Sequence, residues 1–206
     1  MDIPTFEEFL NEAPIAGYGD WVPNKERVFT KSLRQLRNEW SFADKIYISD
    51  TLFDIYKMND EDYYILGTEE GEDFVVLFQI ELRRRPDLEN LFKYKYKNIM
   101  NVDGVFVKKS ARGNKLAKNM YRYMVKTLNF TILSDEIQYH KARLTWSSLS
   151  KMEDLVVDIV NIDTGDILEE DAALYHGDAD WEFDEKVWDY TTSKKDIRMF
   201  LVDIKD

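Results

Sequence analysis

The 206-residue chain has no cysteine, which excludes disulfides, thiolate metal ligands and a cysteine nucleophile. It has only two histidines, His140 and His176, too few for a histidine-rich metal centre. No apolar run approaches the ~18 residues of a membrane span. Met1 to Ala16 carries early carboxylates and no long apolar core, so it does not read as a secretory signal. Internal repeats, low-complexity tracts and dividing linkers are all missing. These absences together predict a protein of the cytoplasm with no membrane partner.

What is present describes one globular domain of ordinary size, with 44% apolar and 33% charged residues. The net charge of −12 is unevenly spread. Residues 151–206 hold 17 acidic against 6 basic residues, a balance of −11. Between Arg83 and Lys126 there are 13 Lys or Arg against three acids. A basic middle suits a polyanionic cofactor. The acidic quarter argues against a nucleic-acid partner and suits a basic protein, although a merely solvating face is the plainer reading of such carboxylates.

The chain is organised around Val102 to Leu128. A β-branched run, Val105-Phe106-Val107, meets a basic turn, Lys108-Lys109-Ser110-Ala111-Arg112-Gly113-Asn114-Lys115. An amphipathic helix then begins, with Leu116, Met120, Met124 and Leu128 at steps of four. A strand feeding a helix through a Gly-containing basic turn brings backbone N–H groups, the helix dipole and cations to one place, the chemistry that holds a phosphate. The plainer alternative is a βα turn with solvated surface cations. Asn129 to Ser134 reads as a strand, Glu136 to Lys151 as a second helix with Ile137, Ala142, Leu144, Trp146 and Leu149, and Leu155 to Val160 as another strand.

This order of strand, R-G-x-x-x-A turn, helix, strand, helix with A-x-x-x-W-x-x-L, and strand resembles the GNAT N-acetyltransferase superfamily. The stretch Ile132 to Leu149 is similar to GNAT-like proteins encoded by tailed phages. The resemblance implies that the Arg112 to Ala117 turn cradles the pyrophosphate of acetyl-CoA. It also implies that the strand before the turn splays from a neighbour, expected near Ile80, and pairs with the pantetheine arm. It thereby assigns cofactor binding to Val105, Val107, Arg112, Gly113, Asn114, Lys115, Ala117 and Tyr139. Acyl transfer to an amine further needs a base and an oxyanion donor. Glu81 and His140 are the candidate bases, and the backbone N–H near Val107 the candidate donor. Glu81 could equally pair with Arg83 or Lys97, and His140 could be an ordinary exposed helix residue. The chain departs from the family pattern in three places. Lys115 stands where the middle glycine of the turn belongs, Tyr139 where an Asn is common, and Trp146 where many members carry a tyrosine acid. Two functions follow: an acetyl-CoA-dependent N-acetyltransferase acting on an amine, or a catalytically inactive GNAT-like phage protein that binds a host or virion protein.

The rest of the chain fills in a fold. Pro4 to Glu12 reads as a short helix whose Thr5 and Glu8 form a capping box; it resembles capsid-targeting peptides of phage internal proteins, which would make the protein virion-associated. Arg27 to Trp40 reads as a further helix. Residues 1–40 thus form an N-terminal helical segment packed on a GNAT-like domain of residues 41–206. Strands are expected at Lys45 to Ser49, Leu52 to Tyr56, Tyr63 to Gly67, Phe74 to Ile80, Tyr94 to Met100 and Ile197 to Ile204. Asp163-x-x-Asp166 lacks the further oxygen ligands of a calcium loop and reads as a hairpin turn. Trp181 to Tyr190 reads as an aromatic flap. The predicted class is α/β in the α+β sense: a mixed, mostly antiparallel sheet of about six or seven strands with helices on its faces.

Overall fold

A computed structural model describes residues 40–58, 62–70, 73–134, 140–172 and 196–203. The predicted helices of residues 1–39, the aromatic flap and Tyr139 lie outside them. The fold is mixed α+β, with few helices and a large, mostly antiparallel sheet. Among the described residues the sheet has nine strands, more than the six or seven expected. The chain divides into two compact units, Met1–Leu82 with Asp103–Ala117, and Arg83–Val102 with Lys118–Asp206.

The first unit is a meander. Strands β1 (Trp40–Ile48), β2 (Thr51–Met58), β3 (Tyr63–Glu70) and β4 (Asp73–Arg84, to Leu82 in this unit) pair antiparallel in sequence order. Ser49 and Asp50, at φ 47° and 64°, make the two-residue turn that joins β1 to β2, the left-handed geometry that matches strand twist in tight hairpins. Trp40 therefore opens a strand, where helical spacing had suggested the end of a helix. Its indole is buried. The apolar run of β4 has Val76, Phe78 and Ile80 wholly buried, with Ile55, Ile65 and Leu66 buried on the strands that precede it.

The second unit opens with the Arg83-Arg84-Arg85 run. Pro86 opens a short helix, α1 (Pro86–Leu91), as proline is suited to do at the first helical position. The Arg85 guanidinium bonds the Asp87 carboxylate at 2.7 Å and holds its pKa below the usual range. The strand expected over Tyr94 to Met100 is cut back to its last two residues. Lys93, Tyr94 and Asn98 all take positive φ, which a strand cannot accommodate, and β5 (Ile99–Val107) begins only at Ile99. Three further elements follow: α2 (Leu116–Lys126), β6 (Thr131–Leu133) and α3 (His140–Leu149). The last strands are β7 (Leu155–Asn161), β8 (Ile167–Glu169) and β9 (Ile197–Asp203). β8 is the observed strand for which the sequence reading offered no candidate.

In this unit β6 pairs parallel to β5, and β9 lies antiparallel between β6 and β7. Leu88, Phe92, Tyr96, Ile99, Leu133, Val160 and Phe200 form one buried cluster. Tyr96 is closed in by burial and by its hydroxyl's bond to Asp158 Oδ2 at 2.6 Å, which together push its pKa well above the ordinary tyrosine range. In the first unit burial raises Tyr64, and the Asp62 carboxylate raises Lys57. All three groups hold their protons more tightly folded than unfolded. Stability is accordingly expected to be full below about pH 10 and to fall above it, where the unfolded chain releases protons that the fold retains. Denaturant titrations from pH 8 to 11 measure this. Tyr96→Phe should make the alkaline fall shallower while lowering the neutral baseline by about 1–2 kcal/mol, because Asp158 loses a donor.

The Asp163 to Asp166 stretch is the β7–β8 turn. Asn161 Oδ1 accepts from the N–H groups of Asp163 and Thr164 at 2.9 and 3.0 Å. Gly165 is obligatory there: its φ is +78°, and an added Cβ would stand 2.9 Å from the Leu91 carbonyl oxygen. Gly165→Ala is expected to cost about 1–3 kcal/mol through strain and displacement of α1, read as a lower thermal midpoint.

Candidate functional site

The turn ahead of α2 is built by a change of period. β5 ends at Val107 because Lys108 leaves the strand, and a 3₁₀ turn over Lys109–Ala111 reverses the chain. The Ala111 N–H donates to the Lys108 oxygen at 2.8 Å. The Arg112 Nε reaches back to the Val107 carbonyl at 3.4 Å, so the guanidinium is tied to the end of β5 and its side chain is half-buried. Gly113 follows at φ 89°, and Lys115 stands at φ 56°. Then α2 begins at Leu116, with no acid in its first turn and with Leu116, Met120, Tyr121 and Met124 buried along one side.

Lys115 explains what a glycine would do at that position. A left-handed residue at the helix entry costs a lysine about 1–2 kcal/mol and a glycine almost nothing. The chain bears that cost and gains a cation, exposed beside exposed Gly113 and Asn114. Asp103 is the sole acid from residue 103 through the first turn of the helix, so the turn is electropositive, and helix N–H groups and dipole add to it. An oxygen-rich dianion is what such a corner can hold.

The remaining candidates are placed as follows. Val107 is buried and Val105 half-buried on β5, and Ala117 is half-buried in the first turn of α2. Glu81 is half-buried on β4, opposite Tyr63 of β3, and belongs to the first unit. His140 is the first residue of α3, in the second. Trp146 is buried at 3% exposure, with its ring 6.1 Å from that of Tyr121. An indole N–H in that position donates a hydrogen bond but is no proton source near neutral pH.

The strand pairings around β5 bear on where a ligand could lie along it. Towards β4 the strands are bonded in both units: Lys108 N–H donates to Leu77 O at 2.9 Å, and Arg85 N–H to Ile99 O at 2.8 Å. The divergence expected near Ile80 is thus bridged by hydrogen bonds at both ends. Among the described residues the parallel ladder with β6 spans Ile99↔Thr131 to Asn101↔Leu133, and β5 itself continues to Val107.

Where that ladder ends, the second unit holds a buried polar group that the sequence reading passes over. The Arg198 guanidinium on β9, 2% exposed, donates to Asn101 Oδ1 at 2.8 Å and to the Ser134 carbonyl oxygen. Ser134 Oγ in turn accepts from the Met199 N–H at 3.1 Å. The available signal was an arginine inside the apolar run Ile197 to Ile204, since a lone cation in a covered strand demands partners. Compared with known proteins, the chain matches no family model, no curated protein and no solved structure. Among the described residues, no helix is long and apolar enough to cross a membrane.

Proposed function

We propose that the chain is a GNAT-like acyl-CoA-binding protein whose Lys108 to Ala117 turn takes the cofactor's pyrophosphate. One observation carries this: a strand, a basic turn with two left-handed residues, Gly113 and Lys115, and an acid-free helix start follow one another without interruption. Backbone N–H groups at the turn hold the pyrophosphate, while Arg112 and Lys115 supply its counter-charge. Glu81, in the first unit, and His140, in the second, stay the candidate bases for the acceptor amine. The setting is the cytoplasm, that of the host if the gene belongs to a phage.

A second reading, binding without catalysis, is favoured by Trp146. Buried indole occupies the place of the acid that would protonate the departing thiolate. Such a protein would use the scaffold to engage a basic host or virion protein through its acidic quarter.

Calorimetric titration with acetyl-CoA tests the first reading. The parent is expected to bind in the micromolar range, and the Arg112→Glu, Lys115→Glu double variant at least about tenfold more weakly, since two cations facing a pyrophosphate become two anions. No heat from the parent at millimolar acetyl-CoA would end the acyl-CoA proposal. Binding without acetyl transfer to any of a panel of amines would select the second reading.

A further inference from the structure

The second unit contains a cleft of about 560 Å³ to which the proposed acyl-CoA turn does not contribute. Its walls are Val125 from α2, Phe130 ahead of β6, Val156 from β7 and Val202 from β9, and Asp158 stands among them. Asp158 is 4% exposed. Its two oxygens accept from neutral donors, the Tyr96 hydroxyl at 2.6 Å and the Asp171 N–H at 3.0 Å. Lys95, Lys97, Glu170, Asp171 and Asp203 also line the cleft. Lys95 pairs with Glu170, and Lys126 pairs with Asp203 at 2.5 Å.

A carboxylate this deep is costly unless a cation or several donors compensate it. It has room for about four hydrogen bonds, and Tyr96 and Asp171 provide two. Tyr96 stays neutral throughout the physiological range, so it remains a donor and adds no charge. The cleft therefore combines valine and phenylalanine walls and several charged lining residues with one deep carboxylate, Asp158. An apolar stem ending in a single strong cationic donor complements both features. A carboxylate or phosphate ligand would instead be repelled.

We propose that this cleft binds a small alkylammonium, its methylene stem along Val125, Val156 and Val202 and its ammonium on Asp158. The proposal is independent of the acyl-CoA reading.

Because the Asp171 N–H lies on an Asp158 oxygen, its amide resonance reports directly on occupancy. In a ¹⁵N–¹H titration of the full chain with 1,4-diaminobutane, that resonance is expected to move saturably in the millimolar range. The uncharged analogue 1,4-butanediol should leave it in place. Asp158→Asn, which keeps an acceptor for Tyr96 but removes the charge, should weaken binding at least tenfold. Should that variant not fold, Val156→Lys provides the second arm, since it puts a competing ammonium on the cleft wall without touching Asp158. It should abolish saturation. The proposal is overturned if the diamine produces no saturable shift, if butanediol reproduces the shift, or if either folded variant binds as the parent does. Saturation by a lysine tetrapeptide but not by the diamine would overturn the small-ligand assignment in favour of a protein's lysine side chain.

Discussion

Replacement of Arg198 by methionine is expected to lower the unfolding free energy by about 2–4 kcal/mol, a large share of the 5–15 kcal/mol typical of a folded domain. Methionine fills much the same volume, so packing is largely preserved and the loss reports on polar chemistry. Asn101 Oδ1 and the Ser134 carbonyl both take a hydrogen bond from the guanidinium, and both residues are buried, at 5% and 1% exposure. Without that donor, two buried acceptors each lose a charge-assisted hydrogen bond. Removal of the buried charge itself offsets part of this. Lysine keeps the charge but cannot span both acceptors with one planar group, so Arg198→Lys should fall between parent and methionine variant. Urea denaturation measures the series. A methionine variant with an unchanged midpoint would mean that the guanidinium does not bind these acceptors in solution.

The second large effect lies two residues further along the same strand. Phe200 is wholly buried, with its ring 5.2 Å from Phe92 and 4.6 Å from Tyr96. Phe200→Ala removes the piece that these rings and Leu88, Ile99, Leu133 and Val160 pack around. A core Phe→Ala change costs about 3–5 kcal/mol through lost transfer energy and the cavity left behind. For a chain of this size that is a fall of about 6–20 °C in thermal midpoint. The denaturant midpoint should drop while the slope stays constant, because the surface exposed on unfolding is nearly the same. A loss below about 1 kcal/mol would show that the neighbouring rings collapse into the space. Residues two apart on a strand share a face, so the Arg198 and Phe200 losses are not expected to add independently.

How much of this was legible before the fold was known depends on the range of the interactions. The α2 helix was, because its signal is periodic: Leu116, Met120 and Met124 recur at steps of four and are all buried. Leu128 continued the period yet lies past the end of the helix at Lys126. The apolar runs of β4 and β7 and the strand around Phe200 were legible for a similar reason. Tyr94 to Asn98 misled because alternation of lysine and tyrosine imitates a strand, while its left-handed residues carry no signal outside Asn and Gly. The Arg198 network was illegible in principle, since its partners lie 97 and 64 residues away. At the turn, sequence gave the cations and Gly113, but the left-handed backbone of Lys115 became visible only in three dimensions.

The position of β9 has a consequence for how the chain is made. It sits between β6 and β7, yet of all the described elements it is the last to be synthesised. Until Ile197 to Asp203 leaves the ribosome, β6 and β7 each carry an open edge, and Leu133 and Val160 lack the Phe200 ring that completes their cluster. The meander of β1 to β4 has no such wait, because each of its strands pairs with the one before. Nascent chains therefore pass through a period in which one unit can be closed while the other is sticky. That interval, rather than the finished fold, is when the protein is most exposed to aggregation and to chaperones.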